Sequence, residues 1–218
     1  MTDLVTLKNP QSPAAEAYRT LRTNILFSSV DRPVHTLSVT SPSPTDGVDG
    51  KSAVIANLAV AMAQAGHTTI LVDADLRRPE QHTIWNLPNT TGLTSLMLNE
   101  NVAPVKVSIE NLSVLTSGPL PPNPGDLLSA KRMDEIIANL KTQAEYVLFD
   151  VPPVLAASDA MLLSTKLDGI LLVVKAGNTR RDHAQRAKEL LERVNIRIVG
   201  VALSNAQRDT SITYGSKK

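Results

Sequence analysis

The sequence predicts a doubly wound α/β fold, in which a mostly parallel sheet lies between two layers of helices. Short runs rich in β-branched residues recur along the chain, at Thr36 to Thr40, Thr69 to Asp73, Leu112 to Thr116, Tyr146 to Asp150, Ile170 to Val174 and Ile196 to Leu203. They show little polar alternation, as strands covered on both faces do. Helical patterns stand between several of them, at Ser52 to Ala65, Lys131 to Thr142, Asp159 to Thr165 and Arg180 to Val194, and such alternation builds crossover-connected parallel sheets.

The composition agrees with that class. At 218 residues, 42% hydrophobic and 20% charged, the chain can bury a large core, and residues 1–218 read as one domain. Its net charge of +1 gives no footprint for nucleic acid or an anionic membrane, so neither is expected as a direct partner. The absence of cysteine excludes disulfides, thiolate metal sites and a cysteine nucleophile, and makes a reducing, cytoplasmic setting the default. Apolar runs such as Ile198 to Leu203 fall far short of the ~18 to 20 residues that span a bilayer. Polar residues follow Met1 where a signal segment would be apolar. No direct membrane insertion is expected, and any membrane association is expected through a partner.

Taken in order, the elements start with a helix. Ser12 suits an N-cap, Pro13 the first helical position and Glu16 a place close to that of a capping box, which predicts a helix to about Ser28. Phe27 and, further on, Trp85 are expected to pack in the core. The segment Gly118-Pro119-Leu120-Pro121-Pro122-Asn123-Pro124-Gly125 is expected to be a rigid surface loop. Arg180 to Glu189 reads as a solvated amphipathic face, and residues 206–218 as a flexible tail without apolar periodicity. His35, His67, His82 and His183 are too scattered to suggest a metal site.

The strongest signal for chemistry is Gly47-Val48-Asp49-Gly50-Lys51-Ser52, between the first strand and the helix that continues through Ala53. Glycines there let backbone N–H groups converge on phosphate oxygens, and a helix N-terminus favours their negative charge. Lys51 would reach the β- and γ-phosphates and Ser52 would hold Mg²⁺. Thr45 stands where the usual pattern has its first glycine, and Asp46 and Asp49 make the loop acidic.

Two further strands end in carboxylates, at Asp73-Ala74-Asp75-Leu76-Arg77-Arg78 and at Asp150-Val151-Pro152-Pro153. Ligands of open α/β sheets bind at the carboxyl ends of strands, so these aspartates are expected beside the phosphate loop. Asp150 would order the hydration shell of a metal, while Asp73 or Asp75 would coordinate metal or accept the proton of an attacking hydroxyl. Arg77 or Arg78 would either offset transition-state charge or pair with nearby carboxylates.

From Ser12 to about Leu203 the chain resembles the cytoplasmic kinase domain of the bacterial tyrosine kinases, P-loop NTPases that regulate capsular and exopolysaccharide synthesis. The resemblance rests on Ser12 to Asn24, Ile70 to Pro79, Gly118 to Pro124 and Phe149 to Pro153, beside the phosphate loop. It implies ATP and Mg²⁺, with Lys51 and Ser52 as the Walker A pair, Asp73 and Asp75 as Walker A′, and Asp150 as Walker B. Nucleotide contacts fall on Gly47, Asp49, Gly50, Lys51, Ser52 and Ala53, and an adenine contact near Asn205. Metal contacts fall on Ser52, Asp73 and Asp150.

The family's oligomerisation pattern falls on Glu16, Arg19 and Arg22, within residues 12–30. It implies a ring of subunits that phosphorylate one another's tails, with Tyr214 as the acceptor, and a membrane-embedded polysaccharide chain-length or export adaptor as activator. Since the sequence starts at Met1 without a spanning run, that adaptor is expected to be a separate chain. Two other readings remain. One is a nucleotide-binding scaffold without turnover, favoured by the long acidic loop and the single tail tyrosine. The other is a partitioning or positioning ATPase, which would need an extra lysine early in the loop; none occurs between His35 and Gly50. Iron-sulfur carriers of that class would need cysteines.

Overall fold

The computed structural model describes residues 4–28, 31–44 and 50–206. Ser12 caps the helix predicted for it, its Oγ accepting the Ala15 N–H at 3.1 Å, and Pro13 sits where a missing N–H costs nothing. A short α1 (Val5–Lys8) precedes this α2 (Pro13–Phe27). Glu16 turns to Arg19 instead of back to the cap. After β1 (Thr36–Thr40), α3 (Gly50–Gln64) is buried from Val54 to Ala63 on every face, which its nearly continuous apolar sequence allows. The one polar residue in that run, Asn57, accepts from the Thr6 N–H and Oγ and donates to the Ala53 carbonyl, so α1 is tied to α3 without an unpaired amide.

The chain continues through β2 (Thr69–Asp73), α4 (Gln81–Trp85), α5 (Leu93–Met97), β3 (Val105–Lys106), β4 (Leu112–Leu115), α6 (Pro124–Ser129), α7 (Lys131–Gln143), β5 (Tyr146–Asp150), α8 (Asp159–Ser164), β6 (Gly169–Lys175), α9 (Arg181–Arg193) and β7 (Ile198–Ser204). The strands form one sheet in the order β3-β4-β2-β5-β1-β6-β7, parallel except for the two-residue edge strand β3. Residues of α1 to α4 build the core on one face, and residues of α5 to α9 build it on the other. The doubly wound, three-layer α/β/α class is therefore as the sequence predicts. β1 lies between β5 and β6, and the order reverses around it, which places the ligand crevice over the carboxyl ends of β1 and its neighbours.

The departures are local. Phe27, expected in the core, ends α2 with 73% of its surface exposed, whereas Trp85 is buried as expected. Pro124 and Gly125, placed in the rigid loop, instead begin α6, where a proline at the first position costs no hydrogen bond. The last strand starts at Ile198, because Asn195 in left-handed geometry turns the chain after α9 and the Ile196 N–H bonds back to Leu191. The helices α1, α4, α5 and α6 were not foreseen, since so few residues carry no readable helical period. Gly92 is required by packing: a Cβ there would lie 2.1 Å from the Thr116 carbonyl oxygen.

Candidate functional site

Lys51 and Ser52 occupy the first turn of α3, over the carboxyl end of β1. Asp73 and Asp150 are the last residues of β2 and β5 and are register partners, so the sheet itself sets their carboxylates side by side. Asp75 follows two residues later. Exposure is 0% for Asp73 and Asp150, 4% for Asp75 and 8% for Lys51. Three carboxylates thus face one ammonium, with almost no water to screen them.

The Lys51 Nζ donates to Asp150 Oδ1 in a short contact, to Asp75 Oδ2 at 3.3 Å and to Ser52 Oγ at 3.3 Å. Burial alone would lower the lysine's affinity for its proton, but Asp150 and Asp75 outweigh burial and hold its pKa above the ordinary value. Asp73 has no such relief. Burial and the neighbouring Asp150 hold its pKa well above the usual carboxylate range, against the smaller pull of Lys51 and of the Gln81 N–H. Asp75 is also raised, chiefly by burial, with Lys51 opposing.

Hydrogen bonds complete the cluster. Asp73 Oδ2 accepts the Gln81 N–H at 2.9 Å, Asp150 Oδ2 accepts Gln81 Nε2 at 2.7 Å, and Asp75 Oδ1 accepts the Arg78 N–H at 3.0 Å. Asp73 Oδ1 is buried without a partner among the described residues. Arg77 pairs through Nε and Nη2 with Asp159, at 2.7 and 3.1 Å, and so resolves as the partner of a fully buried carboxylate. Arg78 is exposed at the cavity wall.

That cavity opens above Lys51 and is lined by Ser41, Ser43, Gly50, Lys51, Ser52, Asp75, Arg78, Lys175, Thr179 and Ser204, among others. A Cβ at Gly50 would meet Ser204 Oγ at 3.0 Å, so any larger residue there would require that hydroxyl to turn aside. The cavity's cationic groups suit a polyphosphate: a lysine and a serine at a helix start, with Arg78 and Lys175 at a wall that also holds Asp75 and Glu80. The oxygen donors suit a hard divalent cation such as Mg²⁺, and the unpartnered Asp73 Oδ1 beside Asp150 is the observation that supports one. Among the described residues no three His, Asp or Glu side chains converge closely enough to chelate a bare ion. A cation held here would therefore draw on water and phosphate oxygens as well, as Mg²⁺ does.

Of the residues expected to bind nucleotide, Gly50, Lys51 and Ser52 line the cavity. Ala53 lies in the next position of α3, where its carbonyl serves Asn57. Asn205 is exposed, in left-handed geometry just past β7, and its neighbour Ser204 lines the cavity instead. Gly47, Asp49 and the acceptor Tyr214 lie outside the described residues. Glu16 and Arg19 pair within α2 at 2.6 Å, and Arg19 also donates to the Pro10 carbonyl. Arg22 instead donates to the Ala61 carbonyl of α3 at 3.0 Å.

Sequence reasoning missed Gln81, Asp159, Lys175 and Thr179. Lys175 ends β6 and was open to the same argument used for Asp73 and Asp150. Gln81 and Asp159 have no such signal, because neither belongs to a recognisable motif and each has a carboxylate or guanidinium partner distant in sequence, Asp150 for Gln81 and Arg77 for Asp159.

A sequence model of the ParA family, described as NUBPL iron-transfer P-loop NTPase, matches residues 35–210. The tyrosine-protein kinase YwqD of Bacillus subtilis (strain 168) is 41% identical over 216 residues, 98% of this chain and 90% of that protein. The tyrosine-protein kinase CpsD of Streptococcus agalactiae is 32% identical over 98% of this chain and 93% of its own length. Among solved structures, the chimerical protein CapA2B2 superposes with a TM-score of 0.89 at 39% identity, covering 95% of this chain and 92% of that one. The kinase domain of the Escherichia coli tyrosine kinase ETK does so at 0.85 and 28% identity, covering 97% and 84%. The septum site-determining protein MinD of Pyrococcus horikoshii, complexed with Mg-ADP, reaches 0.64 at 20% identity over 80% of this chain and 73% of that one, a likeness of fold alone.

Proposed function

This chain belongs to the bacterial tyrosine-protein kinases, within the ParA-like P-loop NTPases, and from that premise we propose that it moves the γ-phosphoryl group of Mg·ATP to the Tyr214 hydroxyl of a neighbouring copy. The observation that carries this reading is the buried ammonium of Lys51, which lines the cavity and pairs with the Asp75 and Asp150 carboxylates. A polyphosphate entering the cavity offers Lys51 a stronger anionic partner, and the carboxylates it leaves then need a cation.

In the transfer, the tyrosine oxygen bonds to the γ-phosphorus, the bond from that phosphorus to the bridging oxygen breaks, and ADP leaves with the electron pair. Asp75 is placed to take the hydroxyl proton, because it lines the cavity, whereas Asp73 lies beneath it with no exposed surface. Its raised pKa suits a base that must bind a proton and then release it to solvent. Bound Mg²⁺ would neutralise developing phosphate charge, with Ser52, Asp73 and Asp150 holding it directly or through its waters. Lys51 and the N–H groups at the start of α3 would hold the transferring oxygens.

The wider role we assign is regulation of capsular or exopolysaccharide synthesis, by a ring of copies at the inner face of the membrane, joined there to a membrane-embedded adaptor. The similarity to kinase chains of nearly this length and to a chimeric protein supports an association with a second polypeptide. Among the described residues no helix is long and apolar enough to cross a membrane. The Glu16, Arg19 and Arg22 side chains along α2 are the proposed ring contacts.

Calorimetric titration with Mg·ATP, followed by mass spectrometry of the tail, tests the reading. Saturable binding and phosphate on Tyr214, lost in Lys51→Met and in Tyr214→Phe respectively, is the expected result. Phosphotyrosine persisting in the tail of Tyr214→Phe would overturn the acceptor. Binding without transfer, even with the adaptor present, would favour a nucleotide-binding scaffold.

A further inference from the structure

Gln81 begins α4 with no exposed surface, and no part of the phosphate-loop or strand-end patterns points to it. Yet it is bonded to each of Ser52, Asp73 and Asp150. Its backbone N–H donates to Asp73 Oδ2 at 2.9 Å, and its Nε2 donates to the Ser52 carbonyl at 3.1 Å and to Asp150 Oδ2 at 2.7 Å. Its Oε1 accepts from Trp85 Nε1 at 3.1 Å.

The last contact decides which way the amide faces. An indole N–H only donates, so it must meet the amide oxygen, and the amide nitrogen is then directed to two acceptors on the other side. Both of its protons are used. A buried side chain needed only to fill space would be apolar, since burying an amide costs free energy unless every group is paired. Here the pairing joins α3, β2 and β5 through one residue, and Trp85 orients that residue from within its own helix.

We propose that Gln81 is a positioning residue for the divalent cation that accompanies the nucleotide, and that Trp85 keeps it in register. Gln81 engages one oxygen of each aspartate and the Ser52 backbone. It leaves Asp73 Oδ1, and Asp150 Oδ1 once Lys51 moves to phosphate, as the oxygens available to the cation and its waters. The inference rests on the reading of this cavity as a Mg·ATP site. Hydrogen-bonded supports of this kind change metal affinity by about 10 to 100-fold when removed.

The test measures binding, not turnover. Mn²⁺ serves as a paramagnetic probe for Mg²⁺, titrated by electron paramagnetic resonance into full-length protein saturated with ADP, and ADP affinity without metal is measured by calorimetry. Gln81→Met keeps the bulk and the backbone N–H but loses the amide; it is expected to weaken Mn²⁺ by about 10-fold while metal-free ADP affinity stays within about twofold. Trp85→Phe, which removes the indole N–H and so frees the amide to turn, is expected to weaken Mn²⁺ less, by about threefold, in the same direction.

Unchanged Mn²⁺ affinity in folded Gln81→Met overturns the proposal and leaves Gln81 as a packing residue. Should that variant fail to fold, unchanged Mn²⁺ affinity in Trp85→Phe overturns it equally. Wild-type protein that binds no Mn²⁺ with ADP would overturn the nucleotide-site reading itself, a result distinct from wild-type binding matched by its variants.

Discussion

Asp73 and Asp150 stand opposite each other at the carboxyl ends of β2 and β5, both without exposed surface, and of their carboxylate oxygens only Asp73 Oδ1 lacks a partner among the described residues. Two buried like charges held so close are tolerable only if one stays protonated or a cation joins them. Lys51 answers for Asp150 directly. Asp73 is left as the group with the strongest electrostatic tension in the site.

Replacing Asp73 with asparagine removes that tension while keeping an acceptor for the Gln81 N–H. We expect Asp73→Asn to raise the stability of the nucleotide-free protein at pH 7 by about 1 kcal/mol, or about 2–4 °C in Tm for a chain of this size. Phosphoryl transfer should fall by about 100-fold or more in the same variant. Thermal melts beside phosphotyrosine assays check both, and a variant less stable than wild type would show that Asp73 is a net stabilising charge.

Lys51→Met should do the reverse. It leaves Asp150 and Asp75 buried without their cation, and breaking a buried pair from one side costs about 3–5 kcal/mol. Chemical denaturation of the nucleotide-free variant measures this loss. A second substitution, Asp150→Asn, should restore part of it. Additive losses in the double variant would mean the two groups do not interact as their contact indicates.

Arg77→Ala leaves Asp159, which has no exposed surface, without its bidentate partner. Because Arg77 itself is about half exposed, water can reach the gap and the expected loss is reduced to about 1–3 kcal/mol. Arg77→Lys should recover less than half of it, since an ammonium cannot reproduce the two-pronged contact. Equal stability of Lys and Arg at this position would argue that only charge matters.

Asp168 supplies the pH dependence. Burial alone would raise its pKa, but its Oδ2 accepts from the Thr36 N–H at 2.8 Å, the Thr36 hydroxyl at 2.8 Å and the His35 N–H at 3.0 Å, and the net shift is downward. A depressed carboxylate stabilises the fold above its unfolded pKa, near 4, and loses that contribution as pH falls through its lower folded value. Asp168→Asn should therefore be less stable than wild type at pH 7, by about 1 kcal/mol given its partial exposure. The difference should close in strong acid. A gap that stays constant from pH 7 to pH 2 would place the effect in shape, not charge.

Much of this molecule could be read before its structure. The strands at Thr36 to Thr40, Thr69 to Asp73 and Tyr146 to Asp150 and the helix starting at Pro13 have the expected bounds, because their signals are local: β-branched runs, a serine cap and a proline at the first helical turn. Phe27 shows where that logic ends. An aromatic residue at the end of a helix is apolar by composition, but only the packing of α2 on α3 decides that this one faces water.

The same division runs through the site. Lys51, Ser52, Asp73, Asp75 and Asp150 were legible because a glycine-rich turn before a helix and carboxylates at strand ends are features of short stretches of chain. Which of them meet was not legible. The sheet register sets Asp73 against Asp150 across 77 positions of sequence, and the Lys51, Arg77 and Gln81 contacts exist only once β1, β2 and β5 are brought together in the sheet. Sequence determined the fold class, the elements and the chemistry available, since these follow from residue type and local spacing. Tertiary structure alone decided the pairing, the burial and the orphaned oxygen, because charge interactions depend on distance and dielectric, and neither is written in a linear order.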